Sequence, residues 1–499
     1  MLGLLHLLAE WREAAEPGSL KPRSSSHGRL SRRGSKKHIV SPQERTFEQI
    51  ISEFYLSNDV LRRMMAQMDR RMDQGLAGAG KSTISMLLSY VPGLPDGSEE
   101  GNFLAMDLGG TNLRVLLLKI AKGKILGTQQ RNFRMTDKVM QGTGTELFDF
   151  MVTKIADFVY EKGLQNEELS LGFTFSYPCI QTSLTTAKLV RWTKGFNASG
   201  VEGSDVVALL TQAIQRHGGI KVRVGALMND TVGTQVATAF EHGDCALGVI
   251  VATGTNCSYI EKAKNIPKLD KESYPFQEML INTEWGGFGD NGEAEYIRTQ
   301  YDRTVDKNSV HPGVQSFDKL VGGMYMGETV RHVLVDLIKS KLLFAHVDAE
   351  ELEDSDFFRP LTFHTKYISE ILSDESVRAE GGRSYPHTRQ ILEELGIFEG
   401  YSFADILLLR EVASVVSRRS ANLAAAAMAC VVKRTKRKVL TVGIDGSTYR
   451  FHPFMNLWCR DKLKELLPED VEVRLVQAGD GSGKGAALVA AIASARGLH

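Results

Sequence analysis

Apolar residues recur at helical spacing through FEQIISEFYLSNDVLRRMMAQMDRRMDQG. Phe47, Ile50, Ile51 and Phe54 form one stripe; Val60, Leu61, Met64, Met65, Met68 and Met72 form a second. Ser57-Asn58-Asp59 interrupts them with residues that start helices, and Gly75 is placed as a C-cap. The methionines read as core filler. Further on the period changes. FLAMDLGGTNLRVLLLKI (103–120) predicts a strand, a tight glycine turn and a second strand, and GVIVATGTNCSYIEKA (248–263) has the same grammar. Between them, TELFDFMVTKIADFVYEKG predicts a helix, LSLGFTFSYP a strand, and KVRVGALMND another strand. SDVVALLTQAIQRHGG predicts a helix with Ser204 at its start and Gly218 past its end. ANLAAAAMACVV (421–432) is too short to span a bilayer and reads as a buried, Ala-rich helix. Helices alternating with apolar strands imply an α/β chain.

Composition adds bounds. The 499 residues are enough for two or more domains. A formal net charge of zero gives no overall electrostatic case for nucleic acid. Five scattered cysteines, without a CxxC pair, read as reduced thiols of a cytosolic protein. No His and Cys fall at zinc-ligand spacing, so no resident metal is expected. Residues 1–45 differ from the rest. MLGLLHLLAEW lacks the basic start and cleavage site of a signal peptide. Residues 17–43 carry Lys and Arg among many Ser, with no Asp or Glu, and are expected to be a disordered basic extension. Such a segment is compatible with weak docking on the mitochondrial outer membrane.

Two kinds of phosphate signal compete. GLAGAGKS (75–82) matches the P-loop spacing completely. A P-loop needs a strand before it and a helix after it; here a helix precedes and Pro and Gly soon follow. The expectation is a helix end and a loop. The two glycine turns are better candidates. Both contain Gly-Thr-Asn, Gly110-Thr111-Asn112 and Gly254-Thr255-Asn256, 144 residues apart, which suggests a duplicated α/β domain. Glycines let the backbone approach an anion and offer N–H donors. Asp107, ending the first strand, is a candidate for magnesium held through water. Ligands gather at the carboxyl ends of such strands, which brings Ser176, Asn229 and Asp230 near the first turn.

LGFTFSYPCIQTSLTTAKLVRWTKGF (171–196) resembles the signature of the hexokinase family, including Leu184, Leu189 and Trp192-Thr193-Lys194. The flanking DLGGTN (107–112), ND (229–230), GTN (254–256), INTEWGGFGD (281–290), GGMYMGE (322–328), VGIDGSTYRFHP (442–453) and GSGKGAALVAA (481–491) occur in the family's order. The chain looks like a single-unit hexokinase of the animal type. The resemblance implies two ribonuclease H-like (actin-like ATPase) α/β domains with a cleft between them. Residues 46–242 would be the N-terminal half and 243–495 the C-terminal half, whose last helix returns to the small domain. It implies MgATP and glucose or related hexoses as substrates, a cytosolic monomer, and closure about hinges near 90–96, 228–231 and the segment before Gly481. By resemblance Asp230 is the base for the sugar 6-hydroxyl, and Lys194 faces the transferring phosphoryl group. Ser176, Thr193, Asn229, Asn256 and Glu284 are sugar partners. Gly109, Gly110, Thr111, Asn112 and Arg114 form the first phosphate loop, Thr253 and Gly254 the second, and Gly446, Ser447 and Gly481 the adenosine wall. One position departs: Asp318 stands where the family usually has Glu. It is one methylene shorter, so weaker glucose affinity is expected. The rival reading is a sugar sensor on the same fold, which Asp318 alone favours.

Overall fold

The structure, a computed structural model, describes residues 45–498 except 79, 81, 110, 111, 193–195, 375, 376, 380 and 381. The basic extension therefore lies outside the described residues. So do Lys81, Gly110, Thr111, Thr193 and Lys194.

The strands are β1 (Leu87–Leu88), β2 (Gly101–Leu108), β3 (Asn112–Ala121), β4 (Lys124–Arg134), β5 (Leu169–Phe175), β6 (Cys179–Ser183), β7 (Thr186–Leu189), β8 (Val222–Met228), β9 (Leu247–Val251), β10 (Thr255–Lys262), β11 (Glu278–Asn282), β12 (Val377–Ala379), β13 (Gly382–Ser384), β14 (Val439–Asp445) and β15 (Glu472–Gln477). The helices that position the site are α1 (Phe47–Ser52), α2 (Asn58–Leu76), α3 (Gly144–Glu161), α4 (Val206–His217), α5 (Asp230–His242), α6 (Ser316–Val321), α7 (Gly323–Lys339), α8 (Phe403–Thr435), α9 (Ser447–Phe451), α10 (Met455–Leu466) and α11 (Gly481–Ala495).

Two sheets carry the duplication. The first has the order β4-β3-β2-β5-β8, and the second β11-β10-β9-β14-β15 with β1 added beyond β11. In each, an antiparallel meander is followed by two parallel strands. The repeated grammar seen in the sequence is thus a repeat of whole sheets.

Its register is not the one Gly-Thr-Asn suggested. In the first hairpin Leu108 pairs with Leu113 across a four-residue turn. In the second Val251 pairs with Thr255 across a three-residue turn. Asn256 therefore matches Arg114, two residues beyond Asn112, the position the shared tripeptide suggests. Thr255 and Asn256 lie within β10, whereas Asn112 opens β3.

The helices after the fifth strands change sheets. α5 follows β8 but packs on the second sheet, where Gly248 and Gly443 make room for it: a Cβ on Gly248 would stand 2.3 Å from the Thr231 carbonyl. α11 follows β15 but packs on the first sheet. A Cβ on Gly172 of β5 would stand 1.9 Å from the Ala486 carbonyl. α5 and α11 then meet each other, with Gly233 and Gly485 in backbone contact. β2 is buried on both faces: Leu104, Met106 and Leu108 join the core beneath α3 and α4, while Phe103 and Ala105 join the core around α11. A strand covered on both sides reads as a continuous apolar run, as FLAMDL does.

Local signals fared unevenly. Ser57 caps α2 as expected, accepting from the Val60 N–H. Gly75 is not the C-cap; α2 runs on to Leu76 with Ala77 capping, and Gly78 takes the left-handed turn at φ 73°. Gly75 is glycine for space, since a Cβ would meet the Ile84 carbonyl at 2.2 Å. α4 is capped by Asp205 rather than Ser204. The Asp205 carboxylate accepts from Val207 N–H at 3.0 Å, while the Ser204 hydroxyl donates to the Gly200 carbonyl. Gly218 ends α4 in the left-handed conformation. The Ala-rich stretch 421–432 lies inside α8, which is long and apolar enough to cross a membrane but mostly buried here among other elements. GLAGAGKS begins in the last turn of α2 and is followed by the short β1, so the strand before and the helix after that a P-loop needs are both replaced.

Candidate active site

Both glycine turns open at the carboxyl ends of their central strands, next to the N-termini of α5 and α11. Asn229 caps α5, its side-chain oxygen accepting from the Thr231 N–H at 2.9 Å. Asp230 is thereby left as the first helical residue, not the cap. A helix N-terminus favours a negative charge there by roughly 0.3–1 kcal/mol. Ser176 follows β5, whose Thr174 is paired with Met228 just before Asn229. Ser176, Asn229 and Asp230 thus share one rim.

Across from them the second hairpin brings Asn256 to Glu284. The Asn256 amide donates to Glu284 Oε1 at 3.0 Å and to Asn282 Oδ1 at 2.9 Å, and Asn282 donates to the same glutamate oxygen at 2.8 Å. Glu284 holds a left-handed backbone, φ 53°, and its N–H donates back to Asn256 Oδ1. A non-glycine residue held there is uncommon and is sustained by this ring of bonds.

Asp318, on α6, turns its carboxylate onto the second turn and accepts from the Thr255 N–H. A Cβ on Gly254 would stand 2.6 Å from both carboxylate oxygens. Burial pushes the Asp318 carboxyl up to about 7; the Thr255 bond opposes the rise, and the Glu284 and Asp230 charges add to it. The Glu284 and Asp230 carboxylates therefore lie close enough for Asp318 to feel their charge. The neighbouring Lys319 is turned away, its ammonium held by Asp306 and the His311 carbonyl.

The nucleotide-side candidates form a second network. Arg114 pairs with Asp107 at 3.0 Å and with Asp480 at 2.7 Å, and donates to the Ser482 hydroxyl at 2.9 Å. Ser482 donates to Asp107 in turn at 2.9 Å. The first hairpin is so fastened to the start of α11. Asp445, ending β14, accepts from the Gly446 N–H at 2.7 Å and the Gly481 N–H at 3.1 Å. Gly446, φ 124°, lies against the Val251 carbonyl, so the second turn, Gly446 and Gly481 line one surface. Ser447 opens α9 on it. The Thr253 carbonyl accepts from the Met324 N–H, tying the turn to α7. Asn112 opens β3, and the Gly109 N–H donates to its carbonyl at 3.0 Å.

Glycines with backbone laid bare, next to an arginine and a helix N-terminus, suit a polyphosphate. Among the described residues no group of three or more His, Cys, Asp or Glu surrounds a metal position. Asp107 is engaged by Arg114 and Ser482 rather than free for direct ligation, which suits magnesium that keeps its waters.

Residue-type reasoning missed Asn282, Asp445, Asp480, Ser482 and Tyr177. Asp445 and Asn282 end strands, which was the available signal. Asp480 stands at φ 90° and caps α11 by accepting from Gly483; nothing in its neighbours announced the ion pair with Arg114.

Family models described as hexokinase match residues 46–240 and 246–492. The chain belongs to the hexokinase family. It is 53% identical to a hexokinase of Brugia malayi, over 99% of this chain and 86% of that protein. It is 41% identical to hexokinase-2 of Homo sapiens, over 91% of this chain and 49% of that one. This hexokinase thus spans about half the length of the human protein. A solved hexokinase from Schistosoma mansoni, complexed with glucose, superposes with a TM-score of 0.78 at 39% identity, covering 89% of this chain and 98% of that one. The hexokinase fold of two sheets and an intervening cleft is the one implied by the sequence.

Proposed function

We propose that this hexokinase transfers the γ-phosphoryl group of MgATP to the 6-hydroxyl of glucose and related hexoses, with Asp230 as the base. The observation that supports these roles is that the Asp230 and Glu284 charges both reach Asp318, which is joined to the second glycine turn through the Thr255 N–H. Asp230 takes the hydroxyl proton as the sugar oxygen attacks phosphorus. Asn229, Ser176, Thr193, Asn256 and Glu284 hold the sugar, because amide and carboxylate groups meet a polyol in fixed directions. Asn282 is added to them as the residue that fixes Glu284. The Lys194 ammonium and the N–H groups of both turns face developing charge on the phosphoryl oxygens. Magnesium supplies further neutralisation when bound with ATP, and Asp107 is the carboxylate assigned to its water shell. Gly446, Ser447 and Gly481 border the nucleoside.

Water is smaller than the sugar and competes for the same phosphorus. Closure of the two bodies, each built around one of the two large sheets, about the crossings at 228–231 and before Gly481 makes attack conditional on sugar. Five free thiols support a reducing compartment, and we place the enzyme in the cytosol as a monomer. Docking of residues 1–45 on mitochondria is part of the same proposal. The test is product formation from glucose and MgATP, read by coupled glucose-6-phosphate dehydrogenase, beside phosphate release without sugar. We expect rapid coupled turnover and far slower hydrolysis. Comparable rates would refute the gating, and absence of product would refute the substrate assignment.

A further inference from the structure

We propose that the Tyr177 hydroxyl is a positioning group that ties Trp192 and Phe196, which border the sugar residues in sequence, to Gly109 of the first phosphate turn, so that sugar bound on one side presets the other for nucleotide.

Tyr177 lies two residues beyond the end of β5, between the two shells. Its ring is buried and meets Trp192 edge-on at 5.1 Å and Phe196 edge-on at 5.5 Å. Those two rings flank residues 193–195, and they stack on each other at 5.3 Å. Phe175 closes the cluster against Tyr177 at 4.7 Å. Such pairs are directional, so the four rings fix one another's orientation. Trp192 is itself fixed: its indole N–H donates to the Ala198 carbonyl at 2.9 Å and its backbone N–H to Glu202 at 2.7 Å.

The other end of Tyr177 leaves the cluster. Its hydroxyl donates to the Gly109 carbonyl at 2.9 Å, at the base of the first turn. Burial, with the Asp107 charge adding to it, holds the phenol neutral and therefore a donor throughout the working pH range. Phenylalanine would keep the ring contacts and lose the hydroxyl, and with it this bond. The ring thus belongs to the sugar shell and the oxygen to the nucleotide shell.

This inference rests on the assignment of those shells made above. The test compares the full chain with Tyr177→Phe and Tyr177→Leu. Binding of a non-hydrolysable ATP analogue with magnesium is titrated with and without saturating glucose, and glucose binding alone is followed by tryptophan fluorescence. A neutral hydrogen bond corresponds to a few-fold change in a binding constant. For Tyr177→Phe we expect glucose to tighten the analogue about fivefold less than in the natural chain, with a matching rise in KM for MgATP. Glucose binding alone and the melting temperature stay unchanged. For Tyr177→Leu, glucose binding weakens as well. The proposal is overturned if Tyr177→Phe keeps the full glucose effect on nucleotide binding, or if it lowers the melting temperature and leaves that effect intact. If the natural chain binds no nucleotide, the assignment of the shells fails instead.

Discussion

In the first half of the molecule, the helix after the fifth strand begins Asn229-Asp230; in the second, its counterpart begins Asp480-Gly481. Both start with a side chain that caps the helix, and both present an electropositive N-terminus to the cleft. The next residue decides the chemistry. The first copy puts a carboxylate there, aimed at a hydroxyl that must lose its proton. The second puts a glycine there, packed so closely on α5 that a Cβ would stand 2.3 Å from the Thr234 hydroxyl. The hairpins diverge in the same manner. Arg114 and Asn256 occupy matching ladder positions, opposite Asp107 and Ile250. One bears a charge suited to phosphate; the other bears an amide that orders Glu284. Duplication supplied two equal mouths, and single residues assigned one to proton transfer and the other to nucleotide.

The largest test removes the carboxylate. Asp230→Ala is expected to lower kcat by about 10²–10⁴-fold, the usual worth of a general base, while glucose binding by calorimetry is retained. An equal loss from altering the second copy's helix start, without loss of nucleotide binding, would erase the asymmetry. The next test addresses what the copies share. Gly485→Ala places a methyl 2.2 Å from the Gly233 carbonyl, and the resulting strain should lower unfolding free energy by about 3 kcal/mol in urea titration. Smaller effects are expected at Asp318. Asp318→Glu should tighten glucose about tenfold if reach to the sugar is the limit, which fluorescence titration reads directly. Asp318→Asn tests its charge. The folded value, about 7, exceeds the ordinary 3.8, so the folded chain favours the protonated form. The natural chain then loses stability as pH rises from about 4 through 7, and the Asn variant does not. Its stability relative to the natural chain should therefore be greater at pH 8 than at pH 5, as measured by urea unfolding at each pH. The smallest effect is expected at Lys81→Ala, which should leave kcat and the KM for MgATP unchanged in the coupled assay.

Period and punctuation made much of this legible. The apolar run FLAMDL and its glycine turn announced a buried strand, and the reappearance of the same grammar announced the second sheet. What could not be read was whatever depends on partners far along the chain. Asp480 meets Arg114 across more than 360 residues of sequence, and Gly75 is small because Ile84 folds back on it. The shared Gly-Thr-Asn misled for another reason. A three-letter identity carries no ladder register, and the pairing puts Asn256 at the place of Arg114, two residues past Asn112. Ser204 lost its cap to Asp205 because both residues suit the role and only the helix start separates them.

The exchange of final helices has a consequence for how the polypeptide can be divided. Cut after residue 242, the leading piece would carry α1, α2, α5 and β1, all of which bed in the trailing piece. The trailing piece would carry α11, whose bed is β2, β5 and β8 of the leading one. Neither piece owns a complete interior, so the two must be made together, and co-expressed fragments should reassemble where separately purified ones aggregate.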